Sequence, residues 1–165
     1  MTSKPLYPPF TDIGIGAYTA GVAMLVAGAF GFKEAAMATG SVLAIAVGLL
    51  AAIPTIITGL VDLFRVPAEA PARTLGWYHL TVMATATGLF VGTWRLQLPG
   101  YSDGKIITVA LILGVISQAL LVLGGYLGGT LTYYYGVNVA NRPRAPLADA
   151  LIPGRVSREP DHRSD

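Results

Sequence analysis

Four long apolar runs occupy most of this 165-residue chain, and they constrain its fold more than any other feature. A helix needs about 20 predominantly apolar residues to cross the hydrocarbon core of a bilayer, and each run is longer than that. Short polar or proline-containing segments separate the runs. The sequence therefore predicts an all-α membrane protein, a four-helix transmembrane bundle, with helices over about residues 12–32, 35–64, 77–98 and 105–136.

The composition supports a single small membrane domain. Hydrophobic residues make up 53% of the chain and charged residues only 12%, whereas a soluble domain carries about 25% charged residues. Cysteine is absent, which excludes disulfides, thiolate metal sites and cysteine nucleophiles. The positive charges flank the apolar runs, as expected for signals of membrane topology. We therefore predict a lipid bilayer as the surroundings and no nucleic-acid partner.

The ends of the chain differ from the membrane domain, which we place at 12–136. Residues 1–11 are proline-rich and predict an extended N-terminal segment, and residues 137–165 predict a disordered tail. Lysine and arginine concentrate in these two ends and in the 65–76 loop. Four spans place all three segments on the same side, and positive charge marks the cytoplasmic side. The predicted location is the bacterial plasma (inner) membrane, with cytoplasmic termini.

Small residues form stripes along the third and fourth runs at helical spacing. Such stripes let helix backbones approach closely where lipid removes the hydrophobic driving force. The pattern is compatible with packing within one chain and, alternatively, with dimerisation. The candidate packing residues are Gly88, Gly92, Gly124, Gly125, Gly128 and Gly129.

Ionisable groups gather towards one end of the predicted bundle. Asp12 begins run one, Asp62 closes run two and His79 opens run three, while Tyr7 and Tyr126 reach the same level. One interpretation is structural, with Asp12 at a helix start and Asp62 paired with a nearby arginine. The other is a polar pocket that opens to the cytoplasm and holds a ligand, a cofactor or a proton, because ionisable residues inside membranes are functional by default.

No catalytic or phosphate-binding signature occurs in a supportable context, so we predict a protein that is not an enzyme. Two histidines leave little room for a zinc site, and we predict no metal. His79 is a candidate axial ligand for haem b. A bis-histidine site would need a second histidine, which no other apolar run supplies.

Short motifs spread over the membrane domain resemble those of one family. The motifs are Leu6-Tyr7-Pro8, Ile13-Gly14-Ile15-Gly16, Gly59-Leu60-Val61-Asp62, Arg73 with Tyr78-His79, Arg95, Gly124-Gly125-Tyr126-Leu127-Gly128-Gly129 and Tyr135-Gly136-Val137. Together they resemble the bacterial membrane proteins of the domain-of-unknown-function 2231 family, over residues 6 to about 138. The glycine-rich block in run four is the most specific of them.

The resemblance implies a membrane domain without a settled activity. The family domain is sometimes joined to Rieske iron–sulfur domains, and its histidines invite a haem or redox interpretation. This chain departs from the pattern at those places, because Tyr7, Tyr126 and Tyr135 stand where the family pattern has histidine. If the family histidines bind haem or metal, this departure implies that the chain has lost the ability.

We therefore predict a non-catalytic multi-pass membrane protein that acts as an accessory or partner subunit of a membrane complex, which could be a redox complex. Its expected partner is another membrane protein or a second copy of the chain. The first alternative is a b-haem or quinone-linked electron-transfer subunit that uses His79. The second is a small oligomeric transporter or proton pathway that uses Asp12 and Asp62.

Overall fold

Four α-helices make up the part of the chain that the computed structural model describes, residues 8–137, and no strand occurs there. This confirms the all-α fold class and the number of helices. Of the N-terminal segment predicted to be extended, residues 8–11 are instead the first turn of a helix, since proline suits that position. Residues 1–7 and the tail beyond 137 lie outside the described residues. The helices are α1 (Pro8–Ala29), α2 (Glu34–Arg65), α3 (Pro71–Asp103) and α4 (Thr108–Tyr133).

The third helix is longer than its apolar run indicates. It begins at Pro71 rather than at 77, because proline suits the first turn of a helix, where its missing N–H needs no partner. The loop that precedes it is correspondingly shorter than the predicted 65–76 segment. The sequence predicts an end at residue 98, where Pro99 and Gly100 follow, and this was wrong because the helix continues through both. The helix stops at Gly104, whose φ of 65° lies in the left-handed region that favours glycine.

Three of the helices, α1, α2 and α4, contain stretches long and apolar enough to cross a membrane: Phe10–Ala29, Glu34–Arg65 and Thr108–Tyr133. The helix α3 has sufficient length at 33 residues but is not among them, since hydroxyl and small residues such as Thr81, Thr85 and Gly88 interrupt its apolar sequence. Of the four runs predicted to span the membrane, three therefore form helices that meet the requirement by length and apolar composition.

The helices form an antiparallel ring in chain order. Each helix packs against its neighbours in sequence, and α4 packs on α1 to close the ring. The contact between α1 and α4 is the smallest of the four between neighbours. Both described ends of the chain therefore lie at one end of the bundle, as the sequence predicts. The α1–α2 and α3–α4 turns lie at the opposite end, which we call the hairpin end. That the chain ends face the cytoplasm stays a prediction.

An aromatic pair fills the centre of the ring. Tyr18 of α1 stacks on Phe90 of α3 with ring centroids 3.9 Å apart and planes within 6° of parallel. These two helices are not neighbours in the ring, so the stack spans its diagonal. The buried cluster is completed by Val22, Leu25, Ile45 and Leu121.

Glycines allow α1 and α2 to lie close together around this core. A Cβ atom placed on Gly48 would lie 2.6 Å from the ring of Tyr18, and one on Gly21 would lie 2.6 Å from the side chain of Ile45. Tyr18 cannot retreat, because Phe90 covers its other face. The close approach of α1 and α2 therefore depends on the absence of side chains at Gly21 and Gly48.

Gly48→Ala tests this contact. The added methyl group must displace the Tyr18 ring, so we expect a loss of about 1–3 kcal/mol in the free energy of unfolding. The control is Gly16→Ala on α1, where a Cβ meets no atom within 4 Å and helix propensity gains up to about 1 kcal/mol. Unfolding by SDS titration in mild detergent checks both. Equal stability of the two variants would contradict the packing described.

Candidate functional site

The predicted polar pocket contained Tyr7, Asp12, Asp62, His79 and Tyr126, and no hydrogen bond or ion pair joins any two of its described members. Tyr7 lies outside the described residues. Asp12 is exposed on α1, and Tyr126 is exposed to 72% on α4. The remaining two side chains each have a partner of their own.

Asp62 forms an ion pair within its own helix. Its Oδ1 lies 3.3 Å from Nη1 of Arg65, one turn further along α2. The arginine is largely exposed, and exposed pairs of this kind contribute about 0–1 kcal/mol. This is the structural interpretation given to Asp62 from the sequence. With Asp12 exposed and Asp62 paired to an arginine, no observation favours the transporter or proton-pathway alternative.

His79 is the one predicted site residue that joins two helices. Its Nδ1 lies 2.9 Å from the carbonyl oxygen of Gly124 on α4. A carbonyl can only accept a hydrogen bond, so Nδ1 carries the proton and, in the neutral ring, Nε2 keeps its lone pair. The imidazole lies against Gly128, since a Cβ atom there would be 3.0 Å from Cε1. The space that holds the His79 ring exists because Gly128 has no side chain.

The predicted packing glycines divide into two groups. The contact between α3 and α4 uses Gly92, Gly124 and Gly128, which meet Leu113, Met83 and His79 respectively. The other three are not used in this contact. Gly88 and Gly125 have open space where a Cβ would stand, and Gly129 meets only Tyr133 of its own helix. On α4, Gly124 and Gly128 therefore face α3, whereas Gly125 and Gly129 face away from it.

A second polar site, at the hairpin end, was missed by reasoning from the sequence. Gln97 is completely buried. Its Nε2 donates to the carbonyl oxygen of Lys105 at 2.8 Å, and its Oε1 accepts from the backbone N–H of Ile107 at 3.0 Å. The Glu34 carboxylate, from the first residue of α2, accepts from the N–H of Ile106 at 3.0 Å. Side chains of two helices therefore satisfy the backbone of the α3–α4 turn.

Gly100 makes this arrangement sterically possible. A Cβ atom at that position would collide with the Lys105 carbonyl oxygen and with Nε2 of Gln97. The available signal in the sequence was a glutamine inside an otherwise apolar stretch, because a buried amide must find partners where water is absent. The spacing alone did not reveal which backbone groups it binds.

The chemistry open to these side chains is narrow. Within residues 8–137, no three His, Asp or Glu side chains come together in a way that could hold a metal ion. His79 offers one nitrogen lone pair, and Gln97 and Glu34 are engaged with backbone groups. Neither the cleft between Val26 and Val115 nor the one between Glu69 and Tyr78 is lined by Asp12, Asp62, His79 or Tyr126.

Comparison with known proteins gives one match. Residues 3–141 match the model of a family described as predicted membrane protein (DUF2231). No curated protein and no solved structure matches the chain. The family match covers all the helices described above.

Gln97→Leu tests the hairpin-end site. The substitution leaves a buried carbonyl and a buried N–H without partners, so we expect a loss of about 2–4 kcal/mol in the free energy of unfolding. Gln118→Leu is the matched control, because Gln118 makes one side-chain bond, to Thr19 at 3.1 Å, and its Oε1 has no partner. We expect the control to stay within about 1 kcal/mol of the wild type. Thermal unfolding in mild detergent measures both, and similar losses would contradict the role given to Gln97.

Proposed function

Because the chain belongs to the DUF2231 family of predicted membrane proteins, we propose that it is a non-catalytic accessory subunit of a membrane assembly. In this proposal it contributes a helical surface, and a second membrane protein or another copy of the chain packs on that surface. Its polar side chains support its own fold and carry out no reaction.

The observation that carries the proposal is the outer surface of α3. The helices α1, α2 and α4 expose large apolar side chains, such as Ile13, Leu50 and Val122, which suit contact with lipid chains. In the middle of α3 the exposed residues are instead mostly small or hydroxyl-bearing, namely Thr81, Ala84, Thr85 and Gly88, and Val91 is the one large apolar side chain exposed beside them.

Small and hydroxyl residues are those that membrane helices use where they pack on one another. The hydroxyls of Thr81 and Thr85 donate to carbonyl oxygens one turn earlier, at 2.9 and 2.8 Å, so neither hydroxyl needs a partner from another helix. A partner helix can therefore approach α3 closely without burying a polar group that lacks a hydrogen bond.

Gly88→Phe tests the accessory role. A phenylalanine at Gly88 meets no atom of its own chain near its Cβ but would separate a partner helix from α3. We expect recovery of a specific partner, or of the homo-oligomer, to fall about tenfold or more when the full chain is purified from its own membranes in mild detergent. Quantitative mass spectrometry of the co-purified proteins measures the change.

The control is Val47→Phe, at an exposed position on α2, and it should retain the partner. The accessory proposal fails if Gly88→Phe retains the same partners at wild-type levels, or if the wild-type chain purifies alone as a monomer.

One observation favours a second candidate, the b-haem or quinone-linked electron-transfer subunit. Histidines that ligate metals usually donate their other ring N–H to a backbone carbonyl or a carboxylate. His79 has this arrangement, with Nδ1 bonded to Gly124 and Nε2 free to act as a ligand. The described residues supply no second histidine, so a six-coordinate haem would need another type of ligand or a second protein.

Oxidised and dithionite-reduced absorption spectra separate the two candidates. The accessory proposal predicts a spectrum without a Soret band from cells supplied with haem, and unchanged partner recovery in His79→Asn. A stoichiometric Soret band that disappears in His79→Asn, while the variant still folds by circular dichroism, would support the electron-transfer candidate and overturn the leading one.

A further inference from the structure

An open cleft lies between α1 and α4 near the hairpin end. Its volume is about 380 Å³. The last turns of α1 form one wall, through Val26, Ala29 and Phe30. Residues of the first turns of α4 form the other, among them Ile112 and Val115. The cleft exists because α1 and α4 make the least extensive contact in the helix ring.

The walls of the cleft are apolar throughout, and the cleft opens sideways from the bundle. In a bilayer this opening faces hydrocarbon, since α1 and α4 are both long and apolar enough to span. A flexible hydrocarbon chain lying in the cleft gains dispersion contacts with two helices at once, where a flat helix surface offers contacts with one. A bulky or polar occupant would not match these walls.

Two lysines lie in the turns at the hairpin end, beyond the residues that line the cleft. Lys33 follows Phe30 by three residues, and Lys105 lies in the α3–α4 turn. This turn packs on the end of α1, because Cγ1 of Ile106 lies 2.7 Å from the position of a Cβ on Gly28. Both lysines are exposed. Two carboxylates also lie at this end. That of Glu34 accepts a hydrogen bond from the N–H of Ile106, and that of Asp103 is exposed.

We propose that this cleft binds one acyl chain of an anionic phospholipid, whose headgroup phosphate lies between Lys33 and Lys105. The apolar walls select a hydrocarbon chain, and the two ammonium groups select a negative headgroup at the depth where α1 ends and α4 begins. Attraction of this kind is worth roughly 1 kcal/mol for each lysine near a membrane surface. The proposal rests on the membrane location of the chain and not on its role as a subunit.

Native mass spectrometry of the full-length chain in non-ionic detergent tests the proposal. The probes are 1-palmitoyl-2-oleoyl phosphatidylglycerol and the phosphatidylcholine with the same acyl chains, each titrated separately. We expect one phosphatidylglycerol to bind each chain at the tightest site, about tenfold more tightly than phosphatidylcholine. The double variant Lys33→Gln/Lys105→Gln should lose this preference and bind both lipids alike.

Val115→Trp fills the cleft and should weaken both lipids about tenfold. Its matched control, Leu50→Trp, changes an exposed position on α2 and should leave both affinities unchanged. Arg65→Gln removes a positive charge at the opposite end of the bundle and should keep the preference for phosphatidylglycerol.

Three results would overturn the proposal. One is a Val115→Trp variant that binds both lipids as tightly as the wild type. Another is tight retention of a neutral isoprenoid or neutral lipid in place of phosphatidylglycerol. The third is a dimer that Val115→Trp dissociates, because the cleft would then be covered by a second copy of the chain.

Discussion

The bilayer offers no water to backbone or side-chain polar groups, and this constraint accounts for most of the structure. Inside the helices the backbone satisfies itself. The difficulty arises at the turns and at the few polar side chains within the apolar runs. Gln97 and Glu34 solve it at the hairpin end by binding the backbone of the α3–α4 turn. His79 solves it near the other end by donating to the carbonyl of Gly124.

Close packing supplies the remaining stability, since helices in lipid gain little from excluding apolar surface. The stack of Tyr18 on Phe90 joins two helices that are not neighbours in the ring. It fits because Gly48 leaves room behind the tyrosine ring. The same principle operates between α3 and α4, where Gly124 makes room for Met83 and Gly128 makes room for His79. Glycine in this chain is therefore mainly a means of bringing helix backbones together.

The sequence was sufficient for the fold class because four apolar runs of membrane length permit few other architectures. One of its two interpretations of Asp62 was a pairing with a nearby arginine, and the structure has that pair with Arg65, since residues three apart on a helix are neighbours. It was less reliable at the end of α3. The effect of Pro99 was overestimated because the signal that ends this helix, Gly104 in a left-handed conformation, depends on the turn that follows.

The predicted polar pocket shows what periodicity leaves undecided. Residues at one level of a bundle share a depth, but their rotation about each helix axis determines whether they face one another. Tyr126 faces outwards, whereas His79 faces α4. For the same reason the sequence did not show that Gln97 faces inwards. It also did not show that Gly124 contacts α3 while Gly125 does not. These directions depend on contacts between helices that are distant in the sequence.

Polar side chains of the membrane domain bind its own backbone, and the hydrogen bond from His79 to Gly124 is the most accessible of these contacts to measurement. Solid-state NMR of the full chain in lipid, with ¹⁵N-labelled histidine and ¹³C-labelled glycine carbonyls, reports which ring nitrogen carries the proton and what it contacts. We expect a proton on Nδ1 and a correlation from it to the Gly124 carbonyl. The same correlation should be lost in His79→Asn, which assigns it to this histidine. A proton on Nε2 with no correlation to that carbonyl would contradict it.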